Sequence, residues 1–453
     1  MFFLVICFFA TSIHAQPLEL NNYSPRELDH LTKQQVIVET LKPYTGIYNK
    51  GVDASTLDQK VICGYQGWFR CEGDGAGMGW THWARFPDKT PGPGNIKVDM
   101  WPDVRELDPD ELYDTKFINP DGTARQLFSS FNYKTVVRHF KWMKEADIDG
   151  VFLYRFLNSA RKNKDLRAKN VVLHNCRAGA NIYGRTYAVK YDVSSMKEGE
   201  SRLILQDWQT LLKQMEFDKD KSYQRHKGKL VLCITWLGVS HVKSDGSQKT
   251  GIGVDESIEL LKTLKSDPKY GSPCIVLGTP SGWRKQERDS NPDPNYINLV
   301  QLADIVHPWT VGRYKSVEGF EEHVKRFIKD DMAWLAKHDK DFLPVVFPGF
   351  SRDNMKGDGL GKIPRLKGAF LESQYHGYMN LDVKMIFQAI FDEVDEGTAV
   401  FKCVNDPPGK NFITYEGLPS DYYLKLVGEK AIELKANAGK KDKSSSDSTS
   451  KFR

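Results

Sequence analysis

The sequence predicts an α/β fold, closed as a single-domain (β/α)8 barrel of the TIM type. Two observations point to it: eight short apolar runs from residue 61 onward, and amphipathic helical stripes between them. A third narrows the choice. Neither G-x-G-x-x-G nor G-x-x-x-x-G-K-[ST] follows the first run, which weakens the nucleotide-binding form of the open, doubly wound sheet, the competing arrangement.

The runs occupy residues 61–65, 150–156, 187–191, 230–236, 274–277, 304–307, 342–347 and 385–391. Each is too short for a helix and is bounded by Gly, Pro or Asp, as buried strands are. Between them, Tyr133, Val136, Val137, Phe140 and Met143 form one helical stripe, and Ile204, Trp208, Leu211, Leu212 and Met215 a second. Val254, Ile258, Leu261 and Leu264 form a third, and Phe320, Val324, Phe327, Ile328 and Leu335 a fourth. Such stripes pack one helix face against a sheet, and eight strand–helix units can close into a barrel. The stretch from Trp68 to about Phe131 reads as a long loop, and the one after the second run as nearly as long. In a barrel these loops rise at the C-terminal face, where active sites lie.

The ends of the chain fall outside the barrel. Residues 1–15 read as a signal peptide: an apolar run of about nine residues ends near a small residue, Ala15, and is too short to span roughly 30 Å of hydrocarbon. A secreted, extracellular protein is therefore expected, with no membrane segment. Residues 16–57 form a helical lead-in, residues 58–432 the barrel, and residues 433–453 a disordered basic tail. From Lys440 to Arg453 that tail holds five Lys or Arg against two Asp, so the net charge of +5 falls to about +2 elsewhere. No basic face suggests nucleic acid.

Outside the signal segment there are six cysteines: Cys63, Cys71, Cys176, Cys233, Cys274 and Cys403. An even count in an oxidising compartment permits disulfides, and Cys63 with Cys71 is the pair a short loop closes most easily. No C-x-x-C pair, HExxH helix or G-x-S-x-G elbow is present. No zinc site or serine nucleophile is therefore expected, and the reading includes neither metal nor cofactor.

The chemistry concentrates in Asp392-Glu393-Val394-Asp395-Glu396-Gly397, four carboxylates in five positions directly after an apolar strand. Crowded acids repel and are costly to desolvate. A solvated turn around Gly397 would explain them, as would a calcium loop, although the spaced ligand pattern of such a loop is missing. The functional reading is a carboxyl pair, Glu393 and Glu396, converging where the strand ends. One acid raised in pKa beside one left ionised is what glycoside hydrolysis needs. Asp392 adjoins the pair as a candidate sugar ligand.

Aromatic and polar residues gather at the ends of the other runs. Tyr65, Gln66 and Trp68 close the first, Trp80, His82 and Trp83 follow in its loop, and Arg155 lies near the end of the second. Trp236, Trp283, Arg284 and Trp309 stand at or beyond the fourth, fifth and sixth. Rings for sugar C–H faces, beside donors and acceptors for hydroxyls, suit a carbohydrate cleft, so an oligosaccharide or polysaccharide is the expected partner.

Taken together, Val61–Phe69, Gly79–Trp83, Asp147–Phe152, Pro280–Arg284, Phe347–Ser351 and the acidic run resemble glycoside hydrolase family 71/99-like proteins over roughly residues 58 to 428. The resemblance implies a metal-free (β/α)8 barrel whose catalytic pair lies in a Glu-x-x-Glu-Gly motif after the eighth strand. By that likeness Glu393 is the base assisting the sugar 2-hydroxyl and Glu396 the general acid/base. On the family 99 side the hydroxyl attacks C1, an anhydro-sugar forms and configuration is retained; the family 71 side, α-1,3-glucanase, implies a different linkage and leaves inversion open. Pro348-Gly349-Phe350-Ser351 is similar to a stretch near the family's cleft, which makes Phe350 a candidate contact. The family carries Trp-His between its two glutamates, whereas Val394-Asp395 stands here, so the sugar that fits is open between mannan-like and glucan-like substrates. A barrel kept as a carbohydrate-binding or extracellular-matrix protein without turnover is the alternative.

Overall fold

A computed structural model describes residues 16–157, 161–239, 241–242 and 249–449; the expected signal peptide lies outside the described residues. The barrel strands, β1 to β8 below, are Val61–Tyr65, Gly150–Phe156, Thr186–Asp192, Lys229–Thr235, Cys274–Pro280, Ile305–Trp309, the pair Asp341–Phe342 and Val345–Val346, and Ile386–Gln388. They pair in parallel in sequence order, and β8 returns to β1 through Val61 opposite Ile386. β7 is interrupted at Leu343-Pro344 because proline has no N–H for the ladder. Its first half pairs with β6 and its second with β8. The ring closes as the eight apolar runs require.

Pleating sends alternate residues to opposite faces. Gly64, Tyr154, Lys190, His307 and Phe387 meet inside the barrel: the Lys190 ammonium is 2.9 Å from His307 Nε2 and 4.4 Å from the Phe387 ring centroid. A Cβ on Gly64 would lie 3.0 Å from Phe387. Tyr65, Arg155 and Tyr187 face outward to the helices.

The four stripes form helices Tyr133–Glu145, Ser201–Met215, Val254–Ser266 and, across one π-helical turn at Val324–Ile328, the run from Val317 to Lys337. The expected long loop after β2 is corrected, because Asn163–Tyr183 is a helix of 21 residues. Its buried face is lined by small residues and polar groups such as Arg167, Asn170 and Arg177, so it shows no simple apolar stripe. The lead-in folds onto this helix through Arg167 to Glu39, 2.8 Å, and Asn170 to Thr40, 2.9 Å. The loop after β1 carries an antiparallel hairpin, Leu112–Ile118 with Ala124–Phe128.

Two further expectations concern the C-terminal segment and the cysteines. The final helix spans Tyr422–Thr449 and so runs into the segment expected, from residue 433, as a disordered tail. The expected Cys63–Cys71 disulfide is absent: all six cysteines are buried free thiols. Cys63 lies in the β1 ladder, whereas Cys71 lies in the loop beyond it and donates to the Phe128 carbonyl at 3.2 Å.

Candidate active site

The acidic run is not a continuation of β8. That strand stops at Gln388, and the Ala389–Ile390 peptide is cis. The Phe391 N–H then donates to the Gly64 carbonyl at 2.8 Å, pinning the run to the C-terminal end of β1. The chain turns tightly after it: Thr398 and Ala399 N–H both donate to the Glu393 carbonyl, at 3.0 and 2.9 Å. Gly397 has φ +62°, and a Cβ there would lie 2.9 Å from Ser351 N. Glycine is required at this position on both counts.

Asp392, Glu393 and Asp395 are buried, whereas the Glu396 side chain is 34% exposed. The run is therefore not a solvated turn. Asp392 accepts from Gln66 and Gly67 N–H, at 2.7 and 2.8 Å. Burial pushes its pKa up to about 7, outweighing those two donors, and the nearby Asp395 adds to the rise. Gln66 Nε2 donates to Glu393 Oε2 at 2.7 Å. Burial, the charge of Asp395 and a hydrogen bond to it hold Glu393 well above the ordinary carboxylate range. Asp395 is displaced the other way: hydrogen bonds from Glu393 and His82, with Lys97 nearby, overcome its burial. Glu393 thus holds the proton and Asp395 the charge.

His82 Nδ1 lies 3.0 Å from Asp395 Oδ2, and Lys97 Nζ 3.6 Å from the same oxygen. Burial lowers His82 to about 4 even against that carboxylate, so the neutral ring donates from Nδ1. Its ring stacks on Trp68 at 3.8 Å, and Trp68 stacks on Phe156 of β2 at 5.5 Å. At Glu396, burial followed by the charge of Asp395 raises the acid to about 7, opposed by Arg352, whose Nη1 is 3.8 Å away. This sets a partly exposed carboxyl of raised pKa near a buried, protonated one.

Of the residues expected at the mouth, Gln66, Trp68, His82 and Asp392 meet the acidic run or its aromatic wall. Trp236 and Trp309 stand half-buried at the ends of β4 and β6, with Trp309 5.2 Å from the Lys190 ammonium. Phe350 is buried beneath the Arg352 guanidinium at 5.3 Å.

Six of the expected residues make contacts away from the acidic run. Tyr65 points outward, its hydroxyl 2.8 Å from His139 Nδ1. Trp80 and Trp83 are core, and Trp83 Nε1 donates to the Phe128 carbonyl at 2.9 Å. Arg155 is outward on β2 and clamps Asp207 at 2.6 and 2.7 Å. Trp283 packs edge-on to Trp334 at 5.1 Å, and Arg284 pairs with Asp331 at 2.8 Å. Position near a strand end does not settle which face a side chain takes; the pleat does.

Lys97, Arg352 and Asp99 went unseen in the sequence. Asp99 accepts from Ser351 Oγ and from Asp353 and Asn354 N–H, at 2.5, 2.7 and 2.8 Å, tying the β1 loop to the β7 loop beside Glu396. Nothing in the local sequence around these three marks them. Asp395 was visible within the run, but its role depends on His82, 313 positions away.

No family model matches the chain, and no curated relative matches it in sequence. Among solved structures, a GH99 endo-alpha-mannosidase from Bacteroides thetaiotaomicron is similar at 16% identity, over 85% of this chain and 100% of that one, with a TM-score of 0.60. The GH99 endo-alpha-mannosidase in complex with bis-tris-propane gives 16%, 85%, 99% and 0.59. The structural neighbours are glycoside hydrolases, and at this identity the likeness is one of fold: the chain is built on the (β/α)8 barrel that a GH99 endo-alpha-mannosidase also uses.

Proposed function

We propose that this chain is a secreted glycoside hydrolase that cleaves α-linked glycans, mannan-like or glucan-like, with Glu393 and Glu396 as its carboxyl pair. The observation that carries the reading is the contrast after β8: Glu396 is partly exposed with its pKa lifted to about 7, close to a buried Glu393 held by Gln66. A general acid must be protonated at working pH, and Glu396 meets that need.

Glu396 gives its proton to the glycosidic oxygen as the C1–O bond breaks. As Glu393 takes the proton of the sugar 2-hydroxyl, whose oxygen closes on C1, its own proton passes along their hydrogen bond to Asp395. Water then opens the anhydro-sugar at C1, giving a proton to Glu396, while Glu393 returns one to O2 and takes its own back from Asp395. Configuration at C1 is retained.

The test is a screen of α-mannans and α-glucans with product analysis, run beside Glu396→Gln. Turnover by wild type, falling by about 10²–10⁴-fold in the variant, is expected. Activity should decline as pH rises through about 7, where Glu396 loses its proton. Equal activity in the variant would overturn the assignment. Secretion predicts a mature N-terminus at Gln16, read by N-terminal sequencing of protein from the medium.

One observation favours the second reading, a barrel that binds glycan without turnover: Glu393 is only 1% exposed. Tight binding of a glycan with no product from wild type would select it.

A further inference from the structure

Beside the acidic run lies a cavity of about 250 Å³, walled by Trp68, His82 and Phe156 and carrying Arg70, Asp165 and Lys169. It shares His82 with the site above, since the ring that lines it also meets Asp395. One side chain therefore separates the cavity from the carboxyls.

The cavity's charges are out of balance. Arg70 is 3% exposed; its Nη1 donates to the Gly67 and Phe69 carbonyls, while its buried Nε has no hydrogen-bond partner. The buried Trp68 Nε1 also has none. The Lys169 ammonium sits 5.9 Å from the Phe156 ring, and among the described residues no carboxylate comes within ion-pair distance of it. Burial chiefly, with Arg70 and Arg155 adding to it and Asp165 opposing, draws Lys169 down to about 7. Arg155 is already matched by Asp207. Asp165 is the one acid lining the cavity, against two cations. Buried donors without acceptors are costly, and both the charge and the donors call for an oxyanion.

We propose that this cavity binds an anionic substituent, the carboxylate of a uronic acid or a sulfate ester, on a sugar adjoining the one held over Glu396. Lys169 and Arg70 supply charge, and Arg70 and Trp68 supply N–H donors. The sugar assignment rests on the hydrolytic reading; the anion assignment rests on the cavity alone.

The experiment titrates three α-linked disaccharides into the full chain by calorimetry: one neutral, one bearing glucuronate and one 6-sulfated. Glu396→Gln serves as the background so that nothing is consumed. An anionic sugar should bind at least about tenfold more tightly than the neutral one, the worth of one charge-assisted hydrogen bond. Lys169→Gln should abolish that preference, and Lys169→Arg should keep it. Preference for glucuronate alone identifies a uronic acid as the source, and preference for the sulfated sugar alone a sulfate ester. Equal affinity for neutral and anionic sugars, or a preference that survives Lys169→Gln, overturns the proposal. Turnover of the same sugars by wild type is followed separately. Anionic preference without hydrolysis removes the hydrolytic reading and leaves the subsite; hydrolysis without anionic preference does the reverse.

Discussion

Asp395 stands where its charge controls the neighbouring acid. It bonds to His82, lies close to Lys97 and presses on Glu393. Asp395→Asn keeps an oxygen for His82 but removes the charge, so the Glu393 pKa falls. The acidic limb of the pH–rate profile should then move to lower pH; an unmoved limb would show that Glu393 is not the group titrating there. Asp392 allows a stability test. Its folded pKa, about 7, lies above the unfolded value of 3.8. Its contribution is therefore full below pH 3.8 and is lost as pH rises through 7. Relative to Asp392→Asn, wild type should lose stability between pH 4 and 8, on the order of 4 kcal/mol at about 1.4 kcal/mol per unit. Denaturant unfolding at the two pH values measures it, and a difference constant with pH would contradict the assigned shift.

At the scale of the element, the acidic turn is held by its neighbours more than by itself. Ser351 N–H donates to the Glu396 carbonyl at 2.9 Å, and Asp99 N–H to the Val394 carbonyl at 2.9 Å. The β1, β7 and β8 loops thus form one hydrogen-bonded unit. Gly397→Ala forces a side chain into φ +62° and against the Ser351 backbone. It should destabilise the protein by about 1–3 kcal/mol and reduce turnover more than substrate binding, because Glu396 is the adjacent residue. Thermal melts and a kcat against KM comparison check this; a variant with wild-type melting and kcat would show that the turn relaxes freely.

Across the whole molecule, covalent cross-links contribute nothing to holding the described barrel together. Its six cysteines are free and buried, so alkylation in denaturant without reductant should label all six. Protection of any pair would reveal a bond. Stability comes chiefly from apolar burial outside and inside the strand ring, although polar groups such as Lys190 and His307 are buried in it too. Lys190 is fully buried in the barrel, and burial lowers its pKa. A lowered lysine leaves the unfolded chain holding more protons, so its contribution rises with pH up to the unfolded value of 10.5. Wild type should therefore gain stability on Lys190→Met between pH 7 and 9.5, measured as the difference in melting temperature. No change in that difference would mean that Lys190 stays charged inside.

The sequence by itself determined the barrel and marked out the acidic run proposed to carry its chemistry. Eight apolar runs are strands, two of them, Val61–Tyr65 and Gly150–Phe156, residue for residue, because buried parallel strands must be short and continuously apolar. The four acids after the eighth run stood out because nothing in folding favours crowding them there. Tertiary structure decided which side chains face the cleft. Tyr65 and Gln66 are neighbours in sequence, yet one enters the outer core and the other reaches Glu393, since pleat direction and strand ends are set by pairing. It also decided the protonation pattern. Glu393 and Asp395 are both carboxyls two positions apart; burial and the hydrogen bond between them, with His82 and Lys97 brought from the β1 loop, make one hold the proton and the other the charge. Electrostatics of that kind depend on distance in space, which separation along the chain does not encode.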